Sequence, residues 1–258
     1  MLRYAPAYLL LTLLFLAGCA SHKPDFSGQT PSPELLNTRL TAAWSQMDHV
    51  EGRLKLQVKN TQFSGTMFGT LYLAPTDQLS LSLKMMFGIS VGDIVISDGR
   101  YEAWFATGQF ETGSVDDFDL QEITGVPFPA KDLIRIFEPL PRSISATDML
   151  ENTVSFEVTA TDSLWKWRLA EASLEHQILY DPTEDRVIEE RWLDAGTQSL
   201  VLLKEYGQFT RLSGVSLAQS LNLRGGGAYP TELGITFDTL ELNPEWKTDP
   251  FQLKANDG

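Results

Sequence analysis

The sequence predicts a mainly β chain with two helices, an α+β arrangement built on one strongly curved antiparallel sheet. Three observations carry this. Apolar residues alternate with polar ones at a period of two through most of the chain, as in Leu54, Leu56 and Val58 against Arg53, Lys55, Gln57 and Lys59. Turn signals recur at hairpin spacing: Ala74-Pro75-Thr76-Asp77, Asp98-Gly99, Asp181-Pro182 and Gly225-Gly226-Gly227. Only two stretches switch to helical spacing, and each is bounded by a proline. About ten candidate strands result, which suits a half-open barrel with an N-terminal helix and a short central helix laid across its apolar concave face.

In chain order, Arg3 is followed by an apolar stretch from Ala5 to Phe15, and Leu16-Ala17-Gly18-Cys19 closes the segment. The stretch is short for a membrane span and ends in small residues, so residues 1–18 read as a cleaved leader. A cysteine directly after small residues is the bacterial lipobox. By that rule Cys19, the one cysteine of the chain, becomes the mature N-terminus and carries a diacylglycerol and a further acyl chain. Several chains make a stable anchor where one does not. Ala20, rather than an aspartate, follows the cysteine; by the enterobacterial sorting convention this favours the outer membrane, at its periplasmic face. Residues 19–33 are polar and rich in proline, a flexible tether to the single domain expected over 34–258.

Ser32-Pro33-Glu34 has the order of a helix start, with a capping side chain, a proline at the first position and an acid in the first turn. Leu35, Leu36, Leu40, Ala43, Trp44 and Met47 form its apolar face, and Gly52 is the expected break. Strands follow, among them Leu79–Met85, Val154/Phe156/Val158, Trp165/Trp167/Leu169, Val215/Leu217, Leu221/Leu223 and Ile235/Phe237. The second helix opens at Pro129, carries Leu133, Ile134 and Phe137, and stops at Pro139. The strand pattern places Leu54, Leu56, Leu81, Leu83, Val95, Phe156, Trp165 and Trp167 on one face, either as the lining of an apolar cavity or as a plain packed core without one.

The run Met85-Met86-Phe87-Gly88-Ile89 stands between two strands, where polar turn residues are the rule. It has two readings: an exposed apolar tip, with Met86, Phe87 and Ile89 facing a membrane or an acyl chain, or a strand that continues into the core.

Composition narrows the function classes. A formal charge of −14 argues against nucleic-acid binding and against electrostatic docking on anionic headgroups. With Cys19 acylated, no thiol is left for a disulfide or a metal. His22, His49 and His176 are far apart, without metal-ligand spacing. Asp116-Asp117-Phe118-Asp119 lacks the spacing, glycine and final glutamate of a calcium loop. Gly88-Ile89-Ser90-Val91-Gly92 matches a nucleophile-elbow pattern, but a strand follows it where that motif needs a helix. Gly225–Gly227 precedes no lysine or helix, so it reads as a turn. No enzyme, cofactor or metal is expected, and the chain is expected to be a monomer.

Residues 78–141 resemble the LolB-like outer-membrane lipoproteins of the LolA/LolB lipoprotein-localisation superfamily. Gln78-Leu-Ser-Leu-Ser-Leu-Lys-Met-Met-Phe-Gly88 is similar to the family's strand leading into an apolar loop. Thr124-Gly125-Val126-Pro127-Phe128-Pro129, then Leu133 and Leu140-Pro141, is similar to its Thr-Gly-x-Pro-x-Pro run, short helix and Leu-Pro ending. The resemblance implies a half-open barrel whose helices lid an apolar cavity. It also implies receipt of client lipoproteins from a periplasmic LolA-type carrier, their acyl chains taken into the cavity, and their insertion in the outer membrane. Phe87 occupies the place of a protruding loop leucine that the family needs for handover. The family's proline before a late strand is absent from Gly214-Val215-Ser216-Leu217. Related families of uncharacterised lipoproteins share the pattern, and for these the implied role is an anchored lipid-binding or envelope-scaffold protein with another ligand or partner.

Overall fold

The structure is a computed structural model that describes residues 32–61, 64–74, 77–117, 133–142, 159–161, 164–170, 173–226 and 230–252. Cys19, Phe156, Pro129 and the Thr124–Pro129 run lie outside these residues.

Helix α1 (Pro33–Trp44) begins as its sequence requires. Ser32 is extended, and its hydroxyl accepts a hydrogen bond from the Leu35 amide at 3.2 Å, satisfying one of the free donors of the first turn. Leu36 and Leu40 are buried beneath it, and Leu35, Ala43 and Trp44 pack at the margin of the same cluster. The chain leaves the helix through residues 45–49. Gly52, expected as the break, lies instead inside the first strand, where a side chain would press on the Phe237 ring at 3.1 Å.

Among the described residues thirteen antiparallel strands follow: β1 (Val50–Lys59), β2 (Ser64–Ala74), β3 (Gln78–Lys84), β4 (Ser90–Ser97), β5 (Arg100–Phe105), β6 (Phe110–Ser114), β7 (Thr159–Thr161), β8 (Leu164–Ala170), β9 (Leu174–Asp181), β10 (Arg186–Asp194), β11 (Leu200–Leu212), β12 (Val215–Gly225) and β13 (Thr231–Leu242). The short helix α2 (Leu133–Phe137) falls between β6 and β7. In the sheet the order is β6-β5-β4-β3-β2-β1-β13-β12-β11-β10-β9-β8-β7, so it is open, with β6 and β7 as its edges. Every neighbouring pair is consecutive in the chain except β1 and β13, which join Val50 to Leu242 and Lys59 to Glu232. The sheet is therefore two meanders meeting at one seam.

Turn chemistry follows the sequence. Asp98 and Gly99 both take positive φ, 51° and 71°, the two-residue turn whose twist matches a hairpin. The strand count exceeds the expected ten partly because β6 and β7 are short and lack clear alternation.

The buried side chains of β1, β2, β3, β4, β8, β9, β12 and β13 form one cluster with those of α1 and α2. Both helices thus lie on the apolar face of the bent sheet. In α2, Leu133, Ile134, Ile136 and Phe137 are all buried, so this one-turn helix is held by packing rather than by its own hydrogen bonds.

Candidate functional site

The loop after β3 is an exposed apolar tip. Met85 amide donates to the Ile89 carbonyl at 2.8 Å and Gly88 amide to the Met85 carbonyl at 3.2 Å, closing a tight reversal. To make it, Phe87 takes φ 65° and ψ 17°, a left-handed conformation that a bulky residue adopts at a cost, and Gly88 follows at φ 74°. The result lifts Phe87 off the protein: it is 94% exposed, with Met86 at 60% and Ile89 at 61%. Of the two readings of this run, the structure has the exposed tip. Ser90 is the exposed first residue of β4, with no helix after it, so the elbow pattern has no elbow.

The concave face is the second component. Leu54, Leu56 and Leu81 are buried on it, and Leu83 is half-buried against the same cluster. Trp165 and Trp167 point the same way from β8 and meet Tyr180 of β9, with all three ring centroids 5.6–5.7 Å apart. Arg39 of α1 lies over Trp165 and Tyr180 at 5.6 and 5.4 Å, so a cation on an aromatic face fixes the helix there. Val95 corrects the expected lining. Ile94 and Ile96 pair with Leu81 and Leu79 and share their face, whereas Val95 pairs with Ser80 and Glu102 on the other side. Strand side chains alternate, so a run of three apolar residues leaves the face undecided until the register is known.

A charged group is set into this interior, which the sequence reading missed. Lys204 of β11 is buried, and its Nζ donates to the carbonyls of Arg135 and Glu138 at the end of α2. Its cross-strand neighbour Glu190 accepts from His176 Nε2 at 2.9 Å and from the Tyr206 hydroxyl. His176 also stacks on Trp192, centroids 4.5 Å apart. Glu138 accepts from Arg142 Nε, and Arg142 reaches on to Asp77 in the turn before β3. Burial pushes Lys204 below its ordinary value, against the opposing charges of Glu190 and Glu138. Burial pushes Glu138 up, and Arg142 and Lys204 only partly offset it. For Glu190 burial acts upward too, but the hydrogen bond and charge of His176, with Lys204 and Tyr206, outweigh it and hold the carboxyl low. A signal existed: Leu202, Lys204 and Tyr206 are in phase, and Tyr206 is an interior residue.

Among the described residues no group of histidines and acids is arranged to hold a metal ion. His49 is engaged by the Pro244 carbonyl at 2.6 Å and by the Trp246 ring. An open antiparallel half-barrel, with helices on its concave face and one apolar loop projecting from its end, is thus the class the geometry defines.

Solved structures share that fold. The chain is similar to a domain from Vibrio parahaemolyticus assigned as an outer membrane lipoprotein-sorting protein, with TM-score 0.60 and 9% identity, over 85% of this chain and 97% of that one. It is similar to a LolA-superfamily protein from Nitrosomonas europaea, with TM-score 0.56 and 7% identity, over 84% and 96%. A DUF1329 family protein from Desulfovibrio piger gives TM-score 0.57 and 9% identity, over 86% and 98%. The protein has the LolA-type fold. No protein-family model matches the chain, and no curated protein matches it in sequence.

Proposed function

We propose that this is a lipoprotein anchored through Cys19 to the periplasmic face of the outer membrane, which binds acyl chains on its concave face and passes client lipoproteins into the membrane. The observation that carries the reading is the position of Phe87. It stands free at the end of β3, the strand whose Leu79, Leu81 and Leu83 line the concave face, so one short segment connects the interior to an apolar tip. The lipoprotein-sorting role assigned to the Vibrio domain supports the same reading. The clients arrive on a periplasmic carrier of the LolA type, and no cofactor or catalysis is required. The side chains of Leu133, Ile134, Ile136 and Phe137 occupy part of the concave face, and an incoming acyl chain replaces their contacts with its own.

Phe87→Glu tests this with a carrier loaded with a client lipoprotein and acceptor liposomes. Burying a phenylalanine is worth roughly 1.5–3 kcal/mol, so its replacement by a charge abolishes transfer. The melting temperature stays within a few degrees, because Phe87 touches no core. Normal transfer by a folded variant removes the loop from the mechanism. Recovery of phospholipid or fatty acid with no transfer of client lipoproteins favours a plain lipid-binding or scaffold role.

A further inference from the structure

The two ends of the sheet differ in chemistry. At the end that carries Phe87, the described residues of the connections are Asn60-Thr61, Met85–Ile89, Ala106–Gln109, Ser173, Ala195–Ser199, Gly226 and Pro230, and none of these is charged. Two acids at the adjoining strand ends are engaged: Asp194 at the end of β10 turns its carboxylate back into its own loop, accepting from the amides of Gly196 and Thr197 and from the Thr197 hydroxyl, and Glu232 of β13 is paired with Lys59 Nζ at 3.2 Å. At the opposite end the connections hold Asp48, Asp77, Asp98, Asp116 and Asp117, all exposed. Every large apolar side chain that stands exposed among the described residues belongs to the uncharged end. Besides the tip these are Phe68, paired with Lys84 at the foot of the loop, Trp104 beside the Ala106–Gln109 hairpin, and Leu200 and Val201 at the start of β11.

Leu200 and Val201 lie five strand positions from β3, about 24 Å along the sheet. They are therefore a second apolar contact, separate from the tip. We propose that this uncharged end, from the Met85–Ile89 loop round to Leu200 and Val201, is the surface on which the domain lies against a lipid bilayer. The proposal rests on Phe87 being the lipid-facing tip and adds the orientation of the whole body. A protein of net charge −14 is repelled by anionic headgroups wherever its acids face them, and apolar side chains gain by leaving water, so both terms select the same end. The opposite end then points into the aqueous space, with its aspartates hydrated.

Single cysteines at Thr107 and Leu200, and at Thr183 and Asp116 of the far end, test this in the full-length lipidated protein. Each is labelled with an environment-sensitive fluorophore, and the protein is reconstituted in phosphatidylethanolamine–phosphatidylglycerol vesicles with brominated acyl chains. Labels held about 5–10 Å into the interface lose roughly half their emission. This loss is expected at 107 and 200 and not at 183 or 116. Equal quenching at all four sites, or quenching confined to the far end, overturns the proposal. A Leu200 label that is unquenched in vesicles but shielded by added carrier overturns it in favour of a protein partner. Val201→Asp, a change at an exposed site, lowers quenching at Thr107 as well if the face acts as one body. The handover reading fails separately: the full quenching pattern with normal transfer by Phe87→Glu removes the role of the tip and keeps the docking face. Absent quenching at Leu200 with transfer still dependent on Phe87 does the reverse.

Discussion

The Nζ of Lys204, buried in β11, donates to the main-chain carbonyl of Glu138 at 3.0 Å. One ammonium thereby satisfies carbonyls that a helix end leaves without a partner, and ties α2 to the sheet. The same cation lies opposite Glu190, so removing it leaves a helix end without its donor and a buried carboxylate without one of its opposing charges.

Lys204→Met therefore destabilises the protein by about 3 kcal/mol or more, the cost of breaking a buried charge pair. Adding Glu190→Gln restores part of this, because the amide keeps hydrogen-bonding capacity without the charge. Denaturant unfolding of the two single variants and the double variant measures the coupling, and simple additivity contradicts it.

The pH dependence has a definite sign. Glu190 is held below the ordinary carboxylate value, because the hydrogen bond and charge of His176, with Lys204 and Tyr206, outweigh the upward push of burial. Its contribution is present above the unfolded value, about 4.3, and is lost as pH falls through the folded one. Glu138, pushed up by burial, acts the other way, its contribution fading as pH rises through its folded value. Glu190→Gln flattens the acid limb of stability against pH, and Glu138→Gln leaves that limb in place.

Gly69 of β2 is required by its neighbour. A Cβ there would stand 2.3 Å from the Ser82 carbonyl oxygen and 2.9 Å from the Leu83 side chain. The first contact is with backbone, so only separation of β2 from β3 relieves it. Gly69→Ala is expected to cost about 1–3 kcal/mol, as overpacking does, with loss of amide protection along Thr70–Ser82.

Phe87→Gly separates stability from function. Glycine takes the left-handed conformation without the penalty of about 1–2 kcal/mol that a side chain incurs. The melting temperature holds or rises while transfer to liposomes falls. A loss of stability with transfer intact contradicts the reading of this loop.

Much of the architecture was legible because alternation and turn residues agree over long stretches. β1, β3 and β12 each declare one apolar face, and the apolar loop declares itself by the absence of turn residues. Val95 was assigned to the wrong side because Ile94-Val95-Ile96 is apolar throughout, and only the pairing with Ser80 decides it. Gly52 carries the sequence signature of a break, since a glycine that makes room for Phe237 is indistinguishable in sequence from one that ends an element. Lys204 and Glu190 are hard to find because charged residues in a strand read as solvent-facing, and only the phase of Lys204 with Leu202 and Tyr206 points inward. Their partners come from β9, β10, β11 and α2, a meeting that no local pattern encodes.

The joining of β1 to β13 has a consequence for how the molecule assembles. Each meander grows by short hairpins, but this last pairing joins residues near the two ends of the domain and carries most of the loop-closure cost. It forms late, after Thr231–Leu242 has been synthesised. Until then β1, paired with β2 on one side, leaves its other edge open over ten residues, a template for any other extended chain it meets. The nascent protein is most at risk of mispairing in that interval, and it needs protection there rather than at its finished edges, where β6 and β7 are only five and three residues long.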